Sequence, residues 1–380
     1  MQSNLYDPEH LAFRDTVRSF CDKHIAPFHA QWEKDGIVDR SLWLEAGKQG
    51  LLGMDVPERF GGGGVKDFRY NVVLAHEVTR VGGSGVGFTL HNDVVAPYLN
   101  DLTTEEQKER WLPQFCSGEL ITAIAMSEPG TGSDLQAIAT RAVRDGSDWI
   151  VTGSKTFITN GINSDLVLVV AQTDPEAGAR GFSILAVERG MKGFERGRNL
   201  EKVGMKAQDT AELFFDEVRV PATNLVGEEG QGFIHLMDKL PQERLSIAAV
   251  AVGAARKVFD LTLDYCKERK AFGKPIGSFQ HNRFVLAEMA TEIEIAEVYL
   301  EKAVLEHNEG RFTVQDAAMA KWWTTELQKR VVDQCVQLHG GYGYMMEYPI
   351  AKAYIDSRVQ TIYGGTTEIM KEIVGRSLGV

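Results

Sequence analysis

The spacing of apolar residues changes twice along this chain. In the first third it is helical. After Pro8, the residues Leu11, Phe13, Val17, Phe20 and Ile25 recur at roughly helical intervals, which predicts a helix opening at the proline. Phe60 followed by Gly61, Gly62, Gly63 and Gly64 marks a break, read as a plain flexible turn. Thr103-Thr104-Glu105-Glu106 predicts a further helix start, a hydroxyl cap followed by acidic first-turn residues. The middle is different. LITAIAMSE (120–128), DWIVTGSKTFIT (148–159), DLVLVVAQT (165–173), GFSILAVER (181–189) and AELFFDEVRV (211–220) are short, rich in β-branched and aromatic residues, and bounded by turn formers. Asp145-Gly146 and Gly153-Ser154 read as hairpin turns. No long helical pattern interrupts these strands, so an antiparallel β-domain is expected rather than alternating βαβ units. From Gly230 the strands stop. Amphipathic segments at 230–240, 241–270, 280–309 and 313–338, with a shorter one from about 366, predict an antiparallel helix bundle. Pro241 is expected at the first position of its own helix, where its missing N–H costs nothing, which places Glu243 in a first turn.

The expected fold class is therefore α+β. An N-terminal helical domain (1–117) precedes a central antiparallel β-domain (118–226) and a C-terminal helical bundle (227–380). A chain of 380 residues agrees with this division, since single cores stop growing near ~250–300 residues. Composition narrows function by exclusion. A net charge of −12 argues against a nucleic-acid partner, which rewards clustered basic surface. Cys21, Cys116, Cys266 and Cys335 form no C-x-x-C pair, and no H-E-x-x-H occurs, so no metal site is expected and a reducing compartment is the natural reading. The longest apolar run, 247–255, is too short to span a bilayer. The polar start MQSNLYDPEHLAF has no targeting character. A bacterial cytoplasm is expected, with a mitochondrial matrix as the alternative.

Neither G-x-G-x-x-G nor G-x-x-x-x-G-K-[ST] is present, which removes the common nucleotide loops. Four other strings stand out. AMSEPGTGSDLQA (125–137) ends a strand with hydroxyls at Ser127, Thr131 and Ser133 and with glycines that let a ligand approach the backbone. Taken alone, it is also an ordinary hydroxyl-rich turn. KTFITNG (155–161) sets an aromatic between polar residues, as any half-buried strand does. QLHGGYGYMMEYPIAKAYID (337–356) places two glycines after a long helix, which a helix C-cap also explains. IYGGTTEIMKEI (362–373) places two glycines and two threonines before a last helix, and Thr366 or Thr367 serves equally as a cap.

Together these strings resemble the acyl-CoA dehydrogenase family. The resemblance runs nearly end to end, from DVPERFGG (55–62) through VGMKAQDTAELFFDEVRVP (203–221) and ERKAFGKPIGSFQ (268–280) to the C-terminus. It implies FAD as cofactor, an acyl-CoA substrate, electron-transferring flavoprotein as electron acceptor and a homotetramer built as a dimer of dimers. By position it implies that Met126 and Ser127 lie along the flavin ring edge, and that Ser133 sits near the pyrophosphate or the CoA. Phe157, where many relatives carry Trp, would stack on the ring, with Thr159 beside it. Arg269, Phe272, Gln280, Gln337 and Gly341 would hold the adenosine half across a subunit boundary. Thr366 and Glu368 match the last cofactor-contacting turn.

Many relatives place the catalytic base directly after the Tyr of I-Y-E-G-T. Here Tyr363 is followed by Gly364. A minority, the long-chain and isovaleryl-type members, carry it in an E-R-L string instead, and LPQERL (240–245) matches that arrangement with Glu243. Two carboxylates in one desolvated pocket would repel, so finding only one is consistent. The Gly364 N–H remains free to polarise the thioester, with Tyr363 and Arg244 beside the substrate. Arg244 either braces the 363–366 loop or pairs with an acidic neighbour. A first-turn carboxylate favoured by the helix dipole is the plain alternative for Glu243. The tail resembles long-chain members most, so a medium-to-long straight acyl chain is expected. Alternatives are a branched, isovaleryl-type substrate, for which Gly364 would free space, and a non-catalytic flavin or acyl-CoA scaffold.

Overall fold

The computed structural model describes residues 5–380; residues 1–4, the start of the expected first domain, lie outside it. The helical expectation for the first third holds. Helices α1 (Pro8–His24), α2 (His29–Asp35), α3 (Arg40–Lys48), α4 (Phe68–Arg80), α5 (Ala96–Leu102) and α6 (Glu105–Ser117) form it. Pro8 occupies the first turn of α1, and Val17, Phe20 and Ile25 are buried while Leu11 stays exposed. Thr104 caps α6 reciprocally with Gln107, each accepting from the other's backbone N–H. A wide π-helical turn, Leu90–Val95, leads into α5. The 61–64 break is a turn, but not a loose one. Gly63 and Gly64 donate their N–H groups to the carbonyls of Gly53 and Val56, so the glycines let the chain fold back against its own backbone.

The middle strands are β1 (Thr122–Ala125), β2 (Arg141–Asp145), β3 (Asp148–Thr159), β4 (Leu166–Gln172), β5 (Phe182–Glu188), β6 (Phe194–Asn199), β7 (Thr210–Val220) and β8 (Leu225–Val226). They form one sheet in the order β6-β7-β3-β2-β4-β5-β8, with β1 added beside β4. Two features correct the sequence reading. The sheet is not wholly antiparallel, because β1 runs parallel to β4 and β2 meets β4 in parallel at Arg141. A parallel neighbour suits strands covered on both faces, and β1 is buried along its whole length. Leu166, Leu168 and Val170 of β4 face Trp111, Leu112 and Phe115 of α6, while Val167, Val169 and Ala171 face Trp149, Leu213 and Phe215 of the sheet. Gly146 does close the β2–β3 hairpin, but Gly153-Ser154 is no turn. It lies inside β3 at a bulge against β7, where a Cβ on Gly153 would stand 2.5 Å from the Thr140 hydroxyl.

The bundle opens with α7, a continuous helix from Gly232 to Glu268. The expected boundary at Pro241 is absent. Pro241 lies inside the helix, so Glu243 sits in its interior and not in a first turn. Packing overrides the lost backbone hydrogen bond here: Leu245, Ala248, Ala249, Val252 and Ala255 form one core with Ala320, Leu327 and Val331. A short hairpin, β9 (Lys270–Ala271) and β10 (Lys274–Pro275), leads to α8 (Gln280–Asn308) and α9 (Val314–His339). Then follow α10 (Pro349–Ser357), unanticipated in the sequence, and α11 (Thr367–Ser377).

Candidate active site

Three groups of candidate residues emerge, at three places on the fold. The first surrounds Glu243. Its Oε2 is enclosed and makes no hydrogen bond. Burial pushes its pKa up to about 7, against the opposing pull of Arg244 and then Lys321. Those two cations donate elsewhere: Arg244 Nε to the Gly364 carbonyl at 3.3 Å, and Lys321 Nζ to the Gly365 carbonyl at 2.6 Å. The turn they hold needs its glycines, with φ of +63° at Gly364 and +101° at Gly365. A Cβ on Gly364 would lie 3.9 Å from Glu243 Oε1 and 2.3 Å from Ile247 Cδ1. The turn and the carboxylate are therefore immediate neighbours. Ile247 fills the space where a side chain at 364 would begin.

Two phenols face the same pocket. Burial first, then Glu243, holds the Tyr98 and Tyr363 hydroxyls protonated far above the usual range. Tyr363 donates to Gln360 Oε1 at 2.8 Å, while the Tyr98 hydroxyl is buried without a partner. Thr366 caps α11 through Ile369 N, and Glu368 lies exposed in that helix's first turn. Behind α7, Asp93 of the π-helical turn accepts hydrogen bonds from Ser246 and Asn71, and burial raises it to about 7.

The second group lies on the β-domain. Thr156 N donates to the Ser127 carbonyl at 2.9 Å, which ties the end of β1 to β3. Beneath it, Lys155 Nζ donates to the Met126 carbonyl at 3.0 Å and to Glu128 Oε1 at 2.9 Å. Glu128 also accepts from Ala139 N and Thr140 N, and this set of donors outweighs burial and lowers its pKa. Phe157 stands on this ledge, the residue 70% exposed, with a left-handed φ of 60°. Thr159 pairs with Thr210 at the end of β3, and Ser133 lies in the open loop beyond Ser127.

The third group lies at the far end of the bundle. Phe272, 95% exposed, tips the β9–β10 hairpin. Arg269 stacks over Tyr342, and both line an open groove of about 520 Å³ with Gly341 and His339. Gln280 begins α8, and Gln337 sits on the exposed side of α9's last turn. No hydrogen bond or ion pair among the described residues links one group with another. One folded chain thus assembles the pocket and the ledge and displays the third set outward.

Lys321, Glu128 and Lys155 were not singled out from the sequence. A signal for Lys321 existed. It falls at helical spacing with Ala317, Thr324 and Gln328, all buried, so a lysine interrupts an otherwise uncharged inward stripe. Among the described residues, Asp7, Glu9 and His10 are the one cluster with metal-ligand spacing, and His10 is already committed to Asp67 and to capping α1.

A near-neutral buried carboxylate beside a turn with unpaired N–H groups is equipped to remove a proton and to stabilise the charge that results. Comparison with known proteins places the chain in a family. The acyl-CoA dehydrogenase N-terminal, middle and C-terminal domain models match residues 7–119, 123–218 and 230–379. The long-chain specific acyl-CoA dehydrogenase of Rattus norvegicus mitochondria is 52% identical over 98% of this chain and 87% of its own length. The mitochondrial isovaleryl-CoA dehydrogenase of Solanum tuberosum is 35% identical over 99% of this chain and 92% of its own. The crystal structure of an acyl-CoA dehydrogenase from Geobacillus kaustophilus superposes with a TM-score of 0.98 at 52% identity, over all of both chains. This chain belongs to the acyl-CoA dehydrogenase family, enzymes that act on the CH–CH bonds of acyl-CoA thioesters.

Proposed function

We propose that this enzyme dehydrogenates medium-to-long straight-chain acyl-CoA to trans-2-enoyl-CoA in fatty acid β-oxidation, with Glu243 as the base. Members of the family are flavoproteins, and the residues present fit FAD. The exposed Phe157 ring offers a flat face, the open loop through Gly130 and Gly132 leaves its backbone accessible, and Arg269 offers a cation at the far groove. When bound, FAD supplies the acceptor for the hydride that leaves the β carbon.

The chain's own residues do the rest. Glu243, ionised, takes the α proton and ends the step protonated. The Gly364 N–H donates to the thioester oxygen, where one well-aimed donor contributes about 3 kcal/mol to the transition state. Tyr363 and Arg244 border the thioester, and Arg244 braces the turn. Met126, Ser127, Phe157 and Thr159 hold the flavin half, Ser133 lies near the pyrophosphate or the CoA, and Thr366 and Glu368 form the last turn that contacts FAD. Arg269, Phe272, Gln280, Gln337 and Gly341 hold the adenosine half in a second copy, which is why they face outward here. This arrangement goes with a homotetramer, with electron-transferring flavoprotein as the electron acceptor. No described helix is long and apolar enough to cross a membrane.

The observation that carries the proposal is the enclosed, unpartnered Glu243 carboxylate beside a glycine at 364. The preference for long straight chains is supported by the 52% identity to the rat long-chain enzyme. A branched, isovaleryl-type substrate is less favoured, because Ile247 already occupies the volume that Gly364 would have freed. The test is anaerobic flavin bleaching by palmitoyl-CoA, wild type beside Glu243→Gln. Bleaching that nearly vanishes in the variant is expected, and equal bleaching would remove Glu243 from the reaction. Faster turnover of short branched thioesters would overturn the substrate assignment. No bleaching by any acyl-CoA, together with DNA retardation at physiological salt, would favour a non-catalytic scaffold.

A further inference from the structure

Lys321 is a costly residue to place where it is. Its side chain is fully buried in the bundle, and burial pushes its pKa down to about 8. It makes no ion pair among the described residues; its one side-chain hydrogen bond goes to a neutral acceptor, the Gly365 carbonyl. An uncharged side chain of similar length would fill the slot without stranding a charge. The next carbonyl back, that of Gly364, is held by Arg244. Two buried cations thus grip consecutive carbonyls of a turn that has two glycines in left-handed conformation. The two held carbonyls fix the peptide planes on the C-terminal side of Gly364, so the Gly364 N–H is held one rotatable residue away, through its own φ and ψ. No described residue accepts from the Gly364 N–H.

We propose that Lys321 is a positioning residue of the active site: by holding the Gly365 carbonyl from inside the bundle, it fixes the turn whose Gly364 N–H polarises the substrate thioester. This rests on the assignment of Gly364 and Glu243 made above. Lys321 has a second effect through space. The charged groups facing it are Arg244 and Glu243 from α7, Glu368 from α11 and Glu326 on its own helix. Facing Glu243 are Arg244, Lys321 and the neutral phenols of Tyr98 and Tyr363, with Asp93 packed behind the same helix through Ser246. Removing Lys321 removes one of the two cations that keep Glu243 from becoming a weaker acid.

The test separates the two assignments. Holoenzyme carrying Glu243→Gln binds palmitoyl-CoA with an isotope-labelled thioester carbonyl, and the infrared carbonyl stretch reads polarisation without turnover. Adding Lys321→Met should abolish roughly half or more of the downshift seen relative to solution. In otherwise wild-type enzyme, Lys321→Met should lower kcat about 10- to 100-fold with little change in KM. It should also move the acid limb of kcat/KM upward by about half a unit to one unit. Lys321→Gln, which keeps a donor but no charge, should move the limb while retaining more of kcat. If Lys321→Met does not yield folded protein, Lys321→Ala, which also removes the donor, replaces it in the stretch measurement. An unmoved stretch together with an unmoved limb would overturn the proposal. Flavin bleaching that survives in Glu243→Gln would instead remove the base assignment, and the stretch would still decide the role of Lys321.

Discussion

Two buried carboxylates in this molecule have opposite fates. Glu128 lies under the β-domain ledge with Lys155 bonded directly to it and two backbone N–H groups completing its shell, and its pKa is lowered. Glu243 lies in the bundle with two cations close by, yet both spend their hydrogen bonds on the Gly364 and Gly365 carbonyls, and its pKa rises to about 7. Proximity of charge is therefore not what separates a carboxylate held below its usual pKa from one raised above it. The difference is whether the donors are bonded to it. Glu128 has donors on both of its oxygens, whereas Glu243 keeps Oε2 unpartnered.

The strongest way to break this contrast is to neutralise each carboxylate's role in turn. Glu243→Gln should slow anaerobic flavin reduction by palmitoyl-CoA about 1,000-fold, the range expected for a lost general base. Lys155→Met should leave Glu128 charged and buried, costing about 3–5 kcal/mol in urea unfolding, and should weaken flavin retention with the ledge. Reduction at the wild-type rate in the first, or unchanged stability in the second, would mean that hydrogen-bond partnering does not sort the two sites.

A subtler test puts a second carboxylate into the bundle pocket. Gly364→Glu must displace Ile247, adopt a left-handed backbone and set like charge beside Glu243. Activity should fall about 10- to 100-fold, with partial recovery when Glu243→Gly and Ile247→Ala are added. If Gly364→Glu alone raised activity, the pocket would tolerate two carboxylates and the argument from repulsion would be lost.

The smallest effect concerns pH. Glu243 holds its proton in the folded chain up to about 7, well above the ordinary carboxylate value of 4.5. Between those values the folded state binds more protons than the unfolded one, so this group's contribution to stability falls as pH rises. Glu243→Gln should therefore raise the melting temperature more at about pH 8 than at about pH 5. The same titration should make kcat/KM of the wild type fall about tenfold per unit below the limb. A variant melting curve that tracks wild type at both pH values would show that the carboxylate carries no burial penalty.

The contrast also marks what the sequence made legible. Glu243 drew attention because Gly364 left the usual base position empty, and β3 was read with both ends correct because turn formers bound it at Asp145-Gly146 and Asn160-Gly161. The error at Pro241 came from local grammar: proline signals a start, but a small-residue core downstream carries the helix straight past it. The bulge at Gly153 failed similarly, since glycine beside serine reads as a turn until a neighbouring backbone, here Thr140, is close enough to require it. The parallel β1–β4 pairing depends on contacts between segments some forty residues apart, which no local pattern encodes. Lys321 was visible as a break in a stripe, but only a structure shows which carbonyl it reaches.

The continuity of α7 has a consequence for mixtures of damaged subunits. From Glu243 to the helix's end beside Arg269 runs a single rod of roughly 40 Å at 1.5 Å per residue. In the proposed assembly, those two ends work in different reaction centres. A subunit with Glu243→Gln and one with an Arg269 substitution would then each spoil a different half. Refolded together, they would assemble some centres that received both intact halves. Intragenic complementation, activity in the mixture exceeding either parent, would follow from nothing more than the length of one unbroken helix.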